Sequence, residues 1–339
     1  MRKLKRICIP ILTSGCIISM IVTGRSTAEA AYSGVLLCLQ VVIPSLFPFI
    51  FICTYANSSI FGYRFKFLKP LSRLCRIPEG SESLLIMGLL GGYPIGAQCV
   101  AQSYSSGILS KNDAERMLGF CNNAGPAFIF GMLYSIFPEK NTLWLLWYIQ
   151  IISCLLTACI LPGGTKTKQC VKIQQSTLTF PQTMEKSFTA IKSICGWVVI
   201  FRILISVLQL VISNVPPQVT VIVSGFLELV NGCIGLNSIE NIGLQFMLVS
   251  TFLGFGGLCV HMQTISVTQM LSKRAYISGK MIHTTISTVI SFLVQLILYN
   301  STDRFLPSVT SFFIFTVIFP ITIAFFRKNS SISDRNDIQ

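Results

Sequence analysis

Six side chains that can form directional hydrogen bonds stand within strongly apolar sequence: Gln98, Asn122, Asn123, Glu228, Asn231 and Gln263. An ionisable residue inside a spanning segment costs on the order of 2.5–3.5 kcal/mol even on a mild insertion scale, so it faces the protein interior and marks a pathway. Amides there can orient a polar solute, and a carboxyl can carry a proton. Glu228 and Asn231 are three positions apart and, with Gly235, fall on one face of a helix. Arg202 is a second embedded charge. It can snorkel to an interface, pair with Glu228 or meet an anion.

Two glycine pairs accompany these groups. Gly91-Gly92-Tyr93-Pro94-Ile95-Gly96-Ala97-Gln98 and Gly256-Gly257-Leu258-Cys259-Val260-His261-Met262-Gln263 each place a Gln six residues after the second glycine. Their separation is constant, since 256 − 91 and 263 − 98 both give 165. Helix-breaking residues at membrane depth are tolerated where they are buried in protein or line a cavity. A matched pair of them in two halves points to a transporter binding site. The candidate substrate-binding residues are therefore Gly91, Gly92, Gln98, Asn122, Asn123, Asn231, Gly256, Gly257 and Gln263, with Glu228 as the coupling group. His261 lies inside the second motif and is a weaker candidate. His283 reads as a core residue.

The chain lacks the usual signatures of catalysis. It has no HExxH, no GxSxG and no acid pair within a membrane segment. Its 13 cysteines form no CxxC pair and no zinc-spaced cluster with histidine, and most sit in apolar runs as small hydrophobes. An enzyme, a cofactor and a metal site are not expected.

Composition supplies the solvent. Of 339 residues 52% are hydrophobic and 11% charged, too apolar for a soluble domain. Runs of about 20 apolar residues recur, as bilayer spans require. The fold class expected is an all-α polytopic membrane protein. The net charge of +14 does not indicate nucleic acid. Lys and Arg gather in short loops and tails, at 2–6, 64–76, 166–172, 273–280 and 327–328, as the positive-inside rule predicts.

Candidate membrane segments fall at about 7–22, 34–60, 84–106, 117–137, 141–162, 187–213, 218–236, 241–271, 283–300 and 306–326. The organisation expected is an N-terminal membrane helix (1–30), a first half (31–162), a basic cytoplasmic linker (163–186), a second half (187–326) and a disordered tail (327–339). The basic start before 7–22 resembles a signal peptide, but an uncleaved first helix is expected. Pro44 and Pro48 predict a bent helix. Pro94 with Gly91 and Gly92 predicts a hairpin or a broken helix. Ser110 with Asp113 predicts a helix N-cap, and Pro126 breaks the helix that follows beside Asn122 and Asn123. If both Gly-rich segments are hairpins, every large basic loop lies on the cytoplasmic side, yet both hairpins then enter from the same side. Paired broken helices often belong to inverted repeats, so the conflict points to a misread segment within 187–271.

Gly-Gly-Tyr-Pro-Ile-Gly-Ala (91–97) and Phe-Cys-Asn-Asn-Ala-Gly-Pro (120–126) resemble the YlbJ-type sporulation integral membrane proteins, which carry the "nucleoside recognition" or Gate domain. Pro-Ser-Leu-Phe-Pro-Phe (44–49), Leu-Glu-Leu-Val-Asn-Gly (227–232) and Gly-Phe-Gly-Gly-Leu-Cys-Val-His-Met-Gln (254–263) extend the resemblance over about residues 30–325. It implies two Gate-like halves and a role in endospore formation. The implied activity is export of dipicolinic acid from the mother cell across the outer forespore membrane. The related nucleoside transporters imply instead that amides and acids at paired hairpins hold a nucleoside. A third reading is a non-transporting assembly protein for cortex formation, against which the short loops count. The partners expected are a small solute, the lipid bilayer and a coupling proton or sodium ion, with no nucleic acid.

Overall fold

A computed structural model describes Ser14 and residues 20–60, 68–164, 178–211 and 215–298. Most of the expected segment 7–22, the core of the 163–186 linker, the segment 306–326 and the tail 327–339 lie outside the described residues. The described chain is helical, without strands. Among the described residues, five stretches are long and apolar enough to cross a membrane: Gly24–Ala56, Lys140–Ile160, Phe180–Gln209, Ile242–Val267 and Arg274–Leu296. The protein is an all-α polytopic integral membrane protein.

The first crossing joins α1 (Gly24–Leu37) to α2 (Ile43–Ile60) through a π-helical stretch, Cys38–Val42. Pro44 and Pro48 follow directly. Pro48 cannot donate to the helical ladder, and widened turns are one way a helix absorbs such a defect. The first crossing therefore begins upstream of the expected 34–60 segment and runs through the boundary drawn at residue 30. After a short α3 (Lys69–Leu74), α4 (Glu82–Leu90) and α5 (Ile95–Ser105) pack against each other as a hairpin whose turn is 91–94. A Cβ on Gly96 would collide with the Cys121 carbonyl, and so would one on Gly88. Small residues let the two arms close on the next segment.

That segment starts as α6 (Lys111–Leu118), capped by Ser110, whose Oγ accepts from the Asp113 N–H at 3.1 Å. Residues 119–125 are not helical, and a π-helical stretch, Ala127–Met132, completes the passage. α7 (Lys140–Ile160) returns. α8 (Phe180–Val211) takes up the last residues of the expected linker.

The second half corrects two expectations. Residues 218–236 are not one span. They form a second hairpin, α9 (Pro217–Leu227) and α10 (Leu229–Gly235), with Glu228 at its tip. A Cβ on Gly232 would strike Gly225, so this glycine pair closes the second hairpin much as Gly88 and Gly96 close the first. Residues 241–271 are not a hairpin. They are a span broken once, between α11 (Ile242–Phe255) and α12 (Gly257–Val267), at Gly256 with φ +89°. α13 (Arg274–Leu298) follows, beginning well before the expected residue 283.

Each half thus reads hairpin, then broken helix. The helix N-caps that correspond are Pro94 with Glu228 and Ser110 with Asn241. Their separations, 228 − 94 = 134 and 241 − 110 = 131, nearly agree. The 165-residue spacing of the two glycine motifs is not the structural repeat. It pairs a hairpin tip with a helix break.

The bases of the hairpins lie at opposite ends. Near the first, buried Arg116 donates to the carbonyls of Cys75, Arg76, Ala158 and Leu161, and the Ser272 N–H donates to Glu115. This gathers the basic segments around Arg73, Arg76, Lys273 and Arg274 at one end. The base of the second hairpin meets the other end of α13, where Gly243 packs on Gln295. From Arg274 to Gln295 a helix rises roughly 30 Å. The aromatic group Phe130, Trp144, Trp147 and Tyr148 lies on the segments bordering the non-basic end, consistent with an interfacial belt. The hairpins enter the bundle from opposite ends, and the conflict found in the sequence came from reading 241–271 as a hairpin.

Candidate functional site

Both hairpin tips, the first helix break and α12 line one cavity of about 50 Å³, while Gly256 and Gly257 at the second break stand outside the lining. Gly91, Gly92 and Tyr93 line it from the first tip, and Glu228, Leu229 and Val230 from the second. Gly125 and Ala127 come from the first break, Cys259, Val260 and Gln263 from α12, and Leu46, Phe49, Ile194 and Val198 from the scaffold. The tips touch the breaks directly. A Cβ on Gly92 would lie 2.9 Å from the Gly125 nitrogen, and one on Gly257 3.1 Å from the Leu229 nitrogen.

At the second tip the backbone of Glu228 is extended, so its carboxylate folds back over the start of α10. Oε1 accepts from the Val230 N–H at 3.1 Å, and Oε2 from the Asn231 N–H and Asn231 Nδ2, both at 2.7 Å. The carboxylate satisfies the orphan N–H groups of a helix start. The expected shared helix face for Glu228 and Asn231 is thus replaced by an N-cap and its third helical residue. Arg202 does not pair with Glu228 directly. It donates to Asn231 Oδ1 at 3.0 Å and to Ser33 Oγ at 3.2 Å, linking tip, α8 and α1.

At the first tip Tyr93 Oη donates to the Leu253 carbonyl, 2.5 Å away, in the broken helix of the other half. The Tyr93 ring sits against Gly256 and under the Lys280 ammonium, 4.7 Å from the ring centroid. A side chain at Gly256 would push on that ring, and its positive φ is one that other residues rarely adopt.

The remaining candidates divide. Gln263 is buried, lines the cavity and donates to Cys259 Sγ at 3.3 Å. Gln98 lies one turn into α5, half-buried, outside the cavity lining. Asn122 and Asn123 are buried in the first break. Asn122 Nδ2 donates to Thr264 Oγ1 at 2.8 Å, and Asn123 Nδ2 to the Phe120 carbonyl at 2.7 Å, while both Oδ1 atoms lack a partner among the described residues. His261 Nδ1 is hydrogen-bonded to Tyr276 Oη at 2.8 Å, outside the lining. His283 is fully buried against Gln150, at 2.9 Å. The described cysteines are free thiols.

The sequence reading missed Lys280, which it counted among loop cations. Lys280 is buried in α13, and its ammonium donates to Tyr93 Oη at 3.3 Å and the Gly254 carbonyl at 3.4 Å. A usable signal was present. Tyr276, Lys280, His283, Thr284, Ser287 and Ser291 recur at helical spacing along one stripe of α13. The stripe packs on Ser250 and Thr251 of α11, the small-polar seam typical of membrane helices.

The chain is 24% identical over 291 residues to the sporulation integral membrane protein YlbJ of Bacillus subtilis (strain 168), covering 72% of this chain and 71% of that protein. The YlbJ-type resemblance read from the motifs therefore holds across most of the sequence. No family model matches the chain, and no solved structure matches it.

Proposed function

We propose that the protein is a sporulation-associated membrane transporter of a small organic solute, with dipicolinic acid moved out of the mother cell across the outer forespore membrane as its substrate. One observation carries the transport reading: two hairpins from opposite ends bring their tips to two helix breaks around a shared cavity. A scaffold protein needs no such convergence. Irregular backbone lining a cavity at the junction of two repeats is how secondary transporters build a solute site. The similarity to YlbJ supports the sporulation context.

The cavity of about 50 Å³ is far below the ~300–1,000 Å³ of ligand pockets. A ring bearing two carboxylates does not fit the space as it stands and enters only when the tips part. α5 begins at the first tip and α12 at the second break, and helix starts favour carboxylates. Coupling to a proton or a sodium ion is part of this reading, with Glu228 at the wall as the group that senses it.

A second reading is favoured by Glu228 itself. A carboxylate on the cavity wall opposes a dianion and suits a neutral solute such as a nucleoside. Uptake into vesicles containing the purified protein separates the two. Dipicolinate, its neutral diamide and uridine are offered at equal concentration. Preference for dipicolinate is expected. Equal or better uptake of uridine establishes the neutral-solute reading, and uptake of none of them favours the assembly role.

A further inference from the structure

The most unusual charge in the molecule is Lys280. Its side chain is among the largest that are fully buried, with 1% of the residue exposed. Among the described residues it has no ion pair. Its two hydrogen bonds, at 3.3 and 3.4 Å, go to a phenol and a backbone carbonyl, and both are long for an ammonium donor. A buried charge is ordinarily paired.

The nearby polar groups do not supply the missing charge. Tyr93 on the first tip and the Gly254 carbonyl of α11 are neutral. Glu228, the acid on the cavity wall, has both oxygens engaged by the start of α10 and by Asn231. Tyr93 both lines the cavity and covers Lys280. The cation is therefore one aromatic ring away from the space where the tips meet.

We infer that Lys280 is the counter-ion for a carboxylate of the transported solute, and that Tyr93 is the movable partition between that cation and the cavity. The inference rests on the reading of the protein as an organic-anion transporter and supplies the residue that reading lacked. When the first tip withdraws, the Tyr93 ring leaves Lys280, and a carboxylate oxygen takes the place of the phenol. α12 starts directly after Gly256, against which the Tyr93 ring sits, and the positive end of that helix shares the charge. The second carboxylate of a dicarboxylate can then lie away from Glu228, which answers the repulsion that favours a neutral solute.

The test is ligand-induced thermal stabilisation of the purified full chain in lipid nanodiscs. Dipicolinate and its neutral diamide are compared for wild type, Lys280→Met and Lys280→Arg. Dipicolinate should raise the Tm of wild type. In Lys280→Met its apparent affinity should fall at least tenfold, with the weak affinity for the diamide unchanged and the unliganded Tm no lower than wild type. Removing an unpaired buried charge should not weaken the fold. Lys280→Arg should retain part of the dipicolinate response. Equal dipicolinate binding by wild type and Lys280→Met overturns the inference and leaves the transport reading standing. A lower unliganded Tm in Lys280→Met, with both ligands affected alike, makes the residue structural and also overturns it. No response of wild type to dipicolinate overturns the substrate reading and this inference together.

Discussion

The two hairpin tips occupy matching places and are held in different ways. The second tip is fastened within itself and to the scaffold helices α8 and α1. Glu228 closes the start of α10, and Asn231 passes the connection to Arg202 and Ser33 on the neighbouring scaffold helices. The first tip carries no charge and is held by the opposite half, through the Tyr93 phenol to the Leu253 carbonyl and through Lys280 to the ring. A tip tied to its own scaffold moves with it. A tip tied across the junction by a few polar contacts is the one able to let go. The difference assigns a fixed jaw to the second half and a releasable one to the first.

The largest effect should come from closing either hairpin with a methyl group. Gly232→Ala forces a Cβ into Gly225, and Gly96→Ala forces one into the Cys121 carbonyl. Neither neighbour is a flexible side chain, so each change should destabilise by about 3 kcal/mol. Thermal unfolding in detergent reads this. A tolerated alanine at one position alone would show that the two hairpins do not share a packing rule.

Next comes the fixed jaw. Glu228→Gln puts an amide donor where one or two N–H groups already point. It should cost about 1–3 kcal/mol and reduce uptake at least tenfold. Arg202→Met should cost less. A double-mutant cycle of the two should show coupling of about 0.5–3 kcal/mol through Asn231. Strict additivity would mean that the tip is not tied to α8.

For the releasable jaw, Tyr93→Phe removes two contacts across the junction, the hydrogen bond donated to the Leu253 carbonyl and the long one accepted from Lys280. Stability should fall by about 0.5–1.5 kcal/mol, with faster exchange of the α5 amides than in wild type. Unchanged exchange would deny the first tip its mobile role. The two glutamines sharpen the comparison further. Gln263→Ala, in the lining, should lower uptake about tenfold, while Gln98→Ala should stay within a factor of about two (under ~0.5 kcal/mol).

The smallest perturbation tests orientation alone. Ser106→Cys and Glu240→Cys sit at exposed bases of the two repeats. A membrane-impermeant thiol reagent should reach them from opposite sides. Labelling of both from one side would break the inverted arrangement.

Much of this was legible in the chain. Apolar runs and the placement of Lys and Arg report the solvent directly, so the membrane class follows. Pro94 and Pro126 remove backbone donors, and the first hairpin and first break are where those residues say. Ser110 with Asp113 marked a helix start that the structure has. The second hairpin was hidden because no proline or glycine sits at its tip. A glutamate supplies its own cap there, and only the Gly225/Gly232 pair hinted that two arms had to touch. The second break was misread as a turn because Gly256-Gly257 looks like Gly91-Gly92, although one φ-positive residue can kink a span without reversing it. Lys280 was hidden by its neighbours, since Lys273 and Arg274 are at a helix end and a cation six residues further on looks like one more of them.

Arg116 carries a consequence for the order of manufacture. Its donors are satisfied by carbonyls at 75–76 and again at 158–161, so during synthesis it has only part of its set until α7 has emerged from the ribosome. The first repeat cannot lock when its own broken helix is inserted. It locks some 40 residues later, just before the polar stretch that precedes α8. A chain halted before residue 158 should keep this end of the bundle open to water and to proteolysis. A chain halted after residue 164 should already hold its first repeat shut, before any of its counterpart has been made.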